Sequence, residues 1–250
     1  MTTIVVSGKG GTGKTNVAAL IVRIISERKV TLAIDADPDT NLAGALGASI
    51  RKTVGDIREG FLDEKDKLPP ETDKQAHFEY RLMGIIEEGD RFDILAMGRP
   101  EGPGCYCYVN NVLRAIIERL EGNYEVVVID TEAGLEHLSR RTVRDIDILL
   151  VVTDTSRRGL ETADRIRKLA NELNIRVKQI YVVANKVRDE KDREKLKNMA
   201  EEMGLELIGF IPFDEELAEL DLDGKPLTQL KDSSPAFKAV KEIVERLNIM

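Results

Sequence analysis

The sequence predicts an α/β fold: a mostly parallel, doubly wound sheet flanked by helices, in a single domain over residues 1–250. Three observations predict it. Short apolar runs alternate with amphipathic helical stretches along the chain. The apolar runs are continuous rather than alternating, the pattern of strands covered on both faces. A glycine-rich turn joins the first run directly to the first helix, as strand–helix units require.

The elements follow in order. Residues 3–7 (TIVVS) read as the first strand, and residues 14–28 as the helix after it, with Val17, Leu20, Ile21 and Ile24 on one face. Further strands are expected at 30–34, 94–97, 126–129, 148–152, 179–184 and 207–210. Helices are expected at 111–120, 159–174, 191–203 and 235–247. Residues at about 51–92 are the least regular part, with charge runs and Pro69-Pro70. They read as an irregular insertion on the same domain. His77 and His137 stand apart and read as structural.

Composition narrows the function. An apolar content of 42% supports a sizeable core. A net charge of −8 argues against nucleic acid or an anionic membrane as partner. The chain shows no charged-then-apolar leader after Met1 and no apolar run of membrane-spanning length, so the expectation is a soluble cytoplasmic protein. The last helix places Phe237, Val240, Ile243, Val244 and Leu247 on one face under mixed charges, which reads as core packing and not as a membrane-surface helix.

The strongest motif is Gly8-Lys9-Gly10-Gly11-Thr12-Gly13-Lys14-Thr15, which fits G-x-x-x-x-G-K-[ST] between a strand and a helix. The glycines let the loop turn its N–H groups onto phosphate oxygens, and the helix N-terminus adds a favourable dipole. The phosphate cradle therefore spans Gly8, Lys9, Gly10, Gly11, Thr12, Gly13, Lys14, Thr15 and Asn16. Lys14 is expected on the β- and γ-phosphates, and the Thr15 hydroxyl on Mg²⁺. Asp35-Ala36-Asp37-Pro38 ends the second strand and puts carboxylates beside this loop; capping a helix over 41–46 is the other reading. Asp130 ends an apolar strand and is expected to hold Mg²⁺. Asn185-Lys186-Val187-Arg188 departs from the guanine-reading N-K-x-D pattern at Arg188, which cannot accept a hydrogen bond; this argues for adenine and so for ATP/ADP.

With a second lysine, Lys9, early in the loop, the chain resembles the MinD/ParA/nitrogenase-iron-protein family of P-loop ATPases with a deviant Walker A motif. The resemblance implies a slow, Mg²⁺-dependent ATPase that forms a homodimer. Lys9 would reach the partner subunit's phosphates and act in catalysis with Lys14. Asp37 would orient the attacking water and border the Mg²⁺ site. Residues 131–134, Thr-Glu-Ala-Gly, are similar to the family's DTPAG switch with Glu132 in place of proline, and Gly134 would sense the γ-phosphate. Asn185 and Lys186 would lie at the base, with Pro212, Phe213 and Asp214 closing over it.

Cys105 and Cys107 are the chain's two cysteines and follow the turn Gly102-Pro103-Gly104. On an extended segment, residues i and i+2 face one way, about 6.6 Å apart. A disulfide across one residue would be strained. Two thiolates are too few for a soft metal, which takes about four ligands. A two-fold axis would supply four, for Ni²⁺, Zn²⁺, Cu⁺ or an Fe–S cluster. The plainer reading is two small buried apolar side chains. Tyr106 and Tyr108 read as packing residues.

Cys-Tyr-Cys after a glycine-rich turn, with residues 132–138, also resembles the CooC-type accessory ATPases. That resemblance implies a nickel metallochaperone whose client is a carbon monoxide dehydrogenase or an acetyl-CoA synthase. An Fe–S scaffold ATPase and a MinD/ParA-like spatial switch are the alternatives.

Overall fold

The computed structural model describes residues 1–64, 67–69, 71–99, 119–120, 122–133, 145–172 and 176–249. Cys105, Tyr106, Cys107, Tyr108, Gly134 and His137, and most of the helix expected at 111–120, lie outside the described residues.

Seven strands form one sheet: β1 (Thr2–Gly8), β2 (Thr31–Ala36), β3 (Phe92–Ala96), β4 (Val126–Thr131), β5 (Asp145–Thr153), β6 (Arg176–Val187) and β7 (Leu207–Pro212). Their order is β3-β2-β4-β1-β5-β6-β7. Every pairing between these strands is parallel, which sharpens the expectation of a mostly parallel sheet. β1 is central. The chain winds from it toward β3 on one side and toward β7 on the other. The loop after β1 therefore opens where the winding direction reverses, the place where such sheets bind ligands.

The period-2 alternation of β1 divides the core. Ile4 and Val6 face a layer built by α1 (Lys14–Ile25), α2 (Asn41–Leu46) and α8 (Pro235–Arg246). Val5 faces the layer of α3 (Val54–Glu64), α4 (Lys74–Met83), α5 (Arg157–Glu172) and α6 (Glu190–Glu202). α7 (Glu215–Leu222) buries none of its residues. Among the described residues no helix is long and apolar enough to cross a membrane.

Residues 51–92 differ from the expected irregular insertion. They hold α3 and α4, whose Val54, Ile57, Phe61, Phe78 and Leu82, with Ile85 in the turn after α4, pack in the same core as Leu32, Ile34 and Leu95. The apolar spacing was helical all along (54, 57, 61 and 78, 82, 85) but was diluted by the charges of the outer faces. α7 escapes the sequence reading for a related reason: over eight residues only Leu217 and Leu220 pack on the core, and only in part, too short a stripe for a periodic signal.

The shared core yields a test. Leu82→Ala empties a site that is 2% exposed and should destabilise the protein by about 3 kcal/mol while thermal unfolding stays a single transition. A separate early transition in calorimetry would show that α3 and α4 pack as an independent unit.

Candidate functional site

The loop between β1 and α1 depends on backbone conformations that favour glycine. Gly8 and Gly13 adopt φ 148° and 84°. A Cβ on Gly8 would overlap the Val152 carbonyl oxygen of the neighbouring strand, so the close approach of β1 to β5 requires glycine there. Gly13 is the N-cap of α1, and no side chain caps this helix. By contrast, Asp189 caps α6 and Ser234 caps α8. The open amides at the start of α1 leave a positive, donor-rich helix end for an anion.

The loop's carbonyls are drawn to other partners. The Lys9 carbonyl accepts from the Thr12 hydroxyl at 2.8 Å. The Thr12 carbonyl accepts from Asn185 Nδ2 at 2.8 Å. The Gly11 carbonyl accepts from Lys186 Nζ at 3.0 Å. Lys186 has φ 60°, a left-handed conformation rare outside glycine, and its own N–H donates to Asn185 Oδ1 at 2.9 Å. With carbonyls held away, the amides are what the loop presents to a ligand.

Two carboxylates lie beside it. Asp35 and Asp130 are register partners on β2 and β4, and both are fully buried. Burial pushes Asp35 up to about 6, against the N–H groups of Leu42 and Asp37 that donate to it. Burial pushes Asp130 up to about 7; the nearby Thr15 hydroxyl and Lys14 ammonium offset part of this, and the Asp35 charge adds to it. Neither Asp130 oxygen has a hydrogen-bond partner of ordinary geometry among the described residues. A carboxyl so buried either takes up a proton or pairs with a cation. Among the described residues no cluster of three or more His, Cys, Asp or Glu side chains converges. The donor set suits Mg²⁺, which takes one or two protein oxygens and completes its shell with water and phosphate. Asp35 also settles the capping question: its Oδ2, not Asp37, accepts from Leu42 in the first turn of α2, at 2.8 Å. Asp37 lines the cleft, and its Oδ1 accepts from the Asp39 N–H at 3.0 Å.

A cleft of about 520 Å³ runs from this loop along α2 to the segment after α7. Lys14, Thr15, Asn16, Asp37, Ala133 and Lys186 are among its walls. Residues 3–227 match the CobQ/CobB/MinD/ParA nucleotide binding domain. The chain belongs to that family. It is 51% identical to an uncharacterised ATP-binding protein of Methanocaldococcus jannaschii, with 98% of this chain and 97% of that one covered. It is 31% identical to the carbon monoxide dehydrogenase accessory protein CooC of Rhodospirillum rubrum, over 94% of this chain and 91% of that one. The septum site-determining protein MinD of Pyrococcus horikoshii, solved with Mg-ADP, shares the fold at a TM-score of 0.74 and 24% identity, covering 99% and 96%.

Within this CobQ/CobB/MinD/ParA domain, Lys9 meets a residue that the sequence reading missed. Its Nζ lies 3.6 Å from Asp154 Oδ2, just past β5. Burial works against the Asp154 charge, but two hydrogen bonds from Ser156 and the Lys9 ammonium hold its pKa below the usual carboxylate range. The pair is partly exposed and contributes only about 0–1 kcal/mol, weak enough to be exchanged for another anion. The strand order made Asp154 findable, because β5 is the neighbour of β1 and both end at the loop.

The residues expected at the base are placed differently from the phosphate set. Pro212, Phe213 and Asp214 are not among the cleft-lining residues. Phe213 has Arg188 over its ring, 5.7 Å from the centroid. Asp214 is spent on structure: Oδ1 accepts from Leu217 N, and Oδ2 from the Ser234 hydroxyl and Ala236 N. It thus caps α7 and ties it to the start of α8. The Asn185 amide braces the loop. Asp221, Gly224, Lys225 and Leu227, which no motif marked, line the cleft instead.

Asn185→Ala should weaken MgADP and inorganic tripolyphosphate alike by about tenfold in calorimetry, since the brace acts on the phosphate loop. A loss confined to ADP would place Asn185 at the base. For Asp214, burial raises the pKa but its hydrogen bonds outweigh this and lower it. A depressed folded pKa gives stability that is full above the unfolded value, about 3.9, and is lost as pH falls through the folded value. The urea midpoint gap between wild type and Asp214→Asn should therefore be large at pH 7 and shrink below about pH 4. A gap independent of pH would contradict the charge-based account.

Proposed function

We propose that the chain is a MgATP-hydrolysing, dimerising metallochaperone. It carries a soft metal, nickel foremost, on Cys105 and Cys107 of two subunits and helps insert it into a carbon monoxide dehydrogenase or acetyl-CoA synthase. The observation that carries this reading is the Cys-Tyr-Cys motif in a chain 31% identical to CooC over 94% of its length.

The site supports the ATPase half in physical terms. The uncapped α1 amides and Lys14 bind the phosphates. Thr15 and Asp130, with Asp37 at the rim, would hold Mg²⁺, which would neutralise charge on the phosphate oxygens. Asp37 accepts a hydrogen bond from the attacking water. Lys9 leaves Asp154 for the partner subunit's phosphate and stabilises charge there. The base is adenine, because Arg188 stands where a guanine reader needs an acceptor. Closure of the dimer brings two Cys pairs together, so nucleotide and metal each tighten the other by one factor.

The test is a Ni²⁺ and Zn²⁺ titration of the reduced protein with and without ADP or ATP, followed by light scattering on a sizing column. One metal per two chains and a monomer-to-dimer shift, both lost in Cys105→Ser, are expected. A brown protein carrying iron and sulfide would favour the scaffold alternative. Absence of metal binding, with nucleotide-dependent pelleting on liposomes or DNA, would favour the spatial switch.

A further inference from the structure

Arg23 lies near the end of α1, the helix that begins at the phosphate loop. Its side chain turns inward and is 14% exposed. Nη1 donates to the carbonyl of Leu227 at 3.0 Å and to that of Leu230 at 2.7 Å. Nη2 donates to Asp232 Oδ1 at 2.6 Å. The guanidinium carbon lies 4.5 Å from the centroid of the Phe237 ring on α8. Both arms of the fork and one face of its plane are therefore used, which lysine cannot reproduce.

The segment held this way is no strand of the sheet. It is a short 3₁₀ turn, Leu227–Gln229, with Pro226 before it and Leu230 after it. Its own hydrogen bonds are local: Gln229 N to Pro226 O at 3.1 Å and Leu230 N to Leu227 O at 3.2 Å. Leu227 and Leu230 anchor it by burial, and Arg23 is its polar tie to α1. On the far side it packs on the end of α2, where Pro226 comes so close to Gly47 that a Cβ there would be crowded.

This segment is also a wall of the cleft. Gly224, Lys225 and Leu227 line it together with Asn41, Gly44 and Ala45 of α2, in the part of the cleft beyond the phosphate loop. On the nucleotide reading of the cleft, phosphates at Lys14 would leave that space for the nucleoside. We infer that Arg23 is a positioning residue for the nucleoside half of the nucleotide. It fixes the 224–230 wall from behind and ties it to the helix whose other end grips the phosphates. The inference rests on the nucleotide reading of the cleft and deepens it.

The experiment compares two ligands by calorimetry. One is MgADP, which fills both halves of the cleft; the other is Mg-tripolyphosphate, which fills the phosphate half alone. In Arg23→Lys and Arg23→Met, ADP affinity should fall about tenfold while tripolyphosphate affinity stays within twofold. In turnover, KM for ATP should rise with kcat little changed. Asp232→Asn, at the exposed end of the contact, should shift ADP affinity in the same direction by less and keeps the test open if the Arg23 variants fail to fold. Equal losses for both ligands, or unchanged ADP affinity in a folded Arg23→Lys protein with wild-type Asp232→Asn behaviour, would overturn the inference. A wild-type chain that binds tripolyphosphate but not ADP would overturn the nucleotide reading and this inference with it.

Discussion

A helix that starts without a cap is the constraint on which the rest depends. The first amides of α1 must find acceptors, and no side chain supplies one. The loop before it makes that deficit useful. Asn185, Lys186 and Thr12 draw three of its carbonyls elsewhere, so that donors rather than acceptors face the cleft. Those braces come from the loop itself and from the end of β6, two strands away from β1. The anion site is therefore a property of the whole sheet edge and not of the loop alone.

The buried carboxylates set a second condition. Parallel pairing of β2 with β4 puts Asp35 opposite Asp130, where water is excluded. Asp35 resolves its burial by accepting backbone amides of the chain leading into α2. Asp130 has no such recourse among the described residues, and its pKa rises accordingly. The two aspartates share a neighbourhood and differ in their partners: backbone amides satisfy one, and the other has no hydrogen-bond partner among the described residues.

The C-terminal quarter closes the cleft by two polar ties. Asp214 joins the start of α7 to the start of α8. Arg23 joins α1 to the turn between them. α7 buries no residue fully and packs only the half-buried Leu217 and Leu220 on the core, so these ties and the leucines at 227 and 230 help to hold the segment where it borders the cleft.

The sheet, the phosphate loop and the carboxylates beside it were legible because each is written in contiguous residues: a run of buried strand, glycines at fixed offsets, an aspartate at a strand end. α3 and α4 were legible in spacing but hidden by charge. Local periodicity and backbone freedom suffice for the parallel architecture and the phosphate end of the site, so both can be read from contiguous residues. Tertiary structure alone decided the partners: Thr12 with Asn185, 173 residues away, Lys9 with Asp154, and Arg23 with the Leu227 and Leu230 carbonyls. A hydrogen bond depends on a donor and acceptor meeting within about 3 Å. For residues so far apart, that meeting is set by strand order and register, which no local pattern encodes.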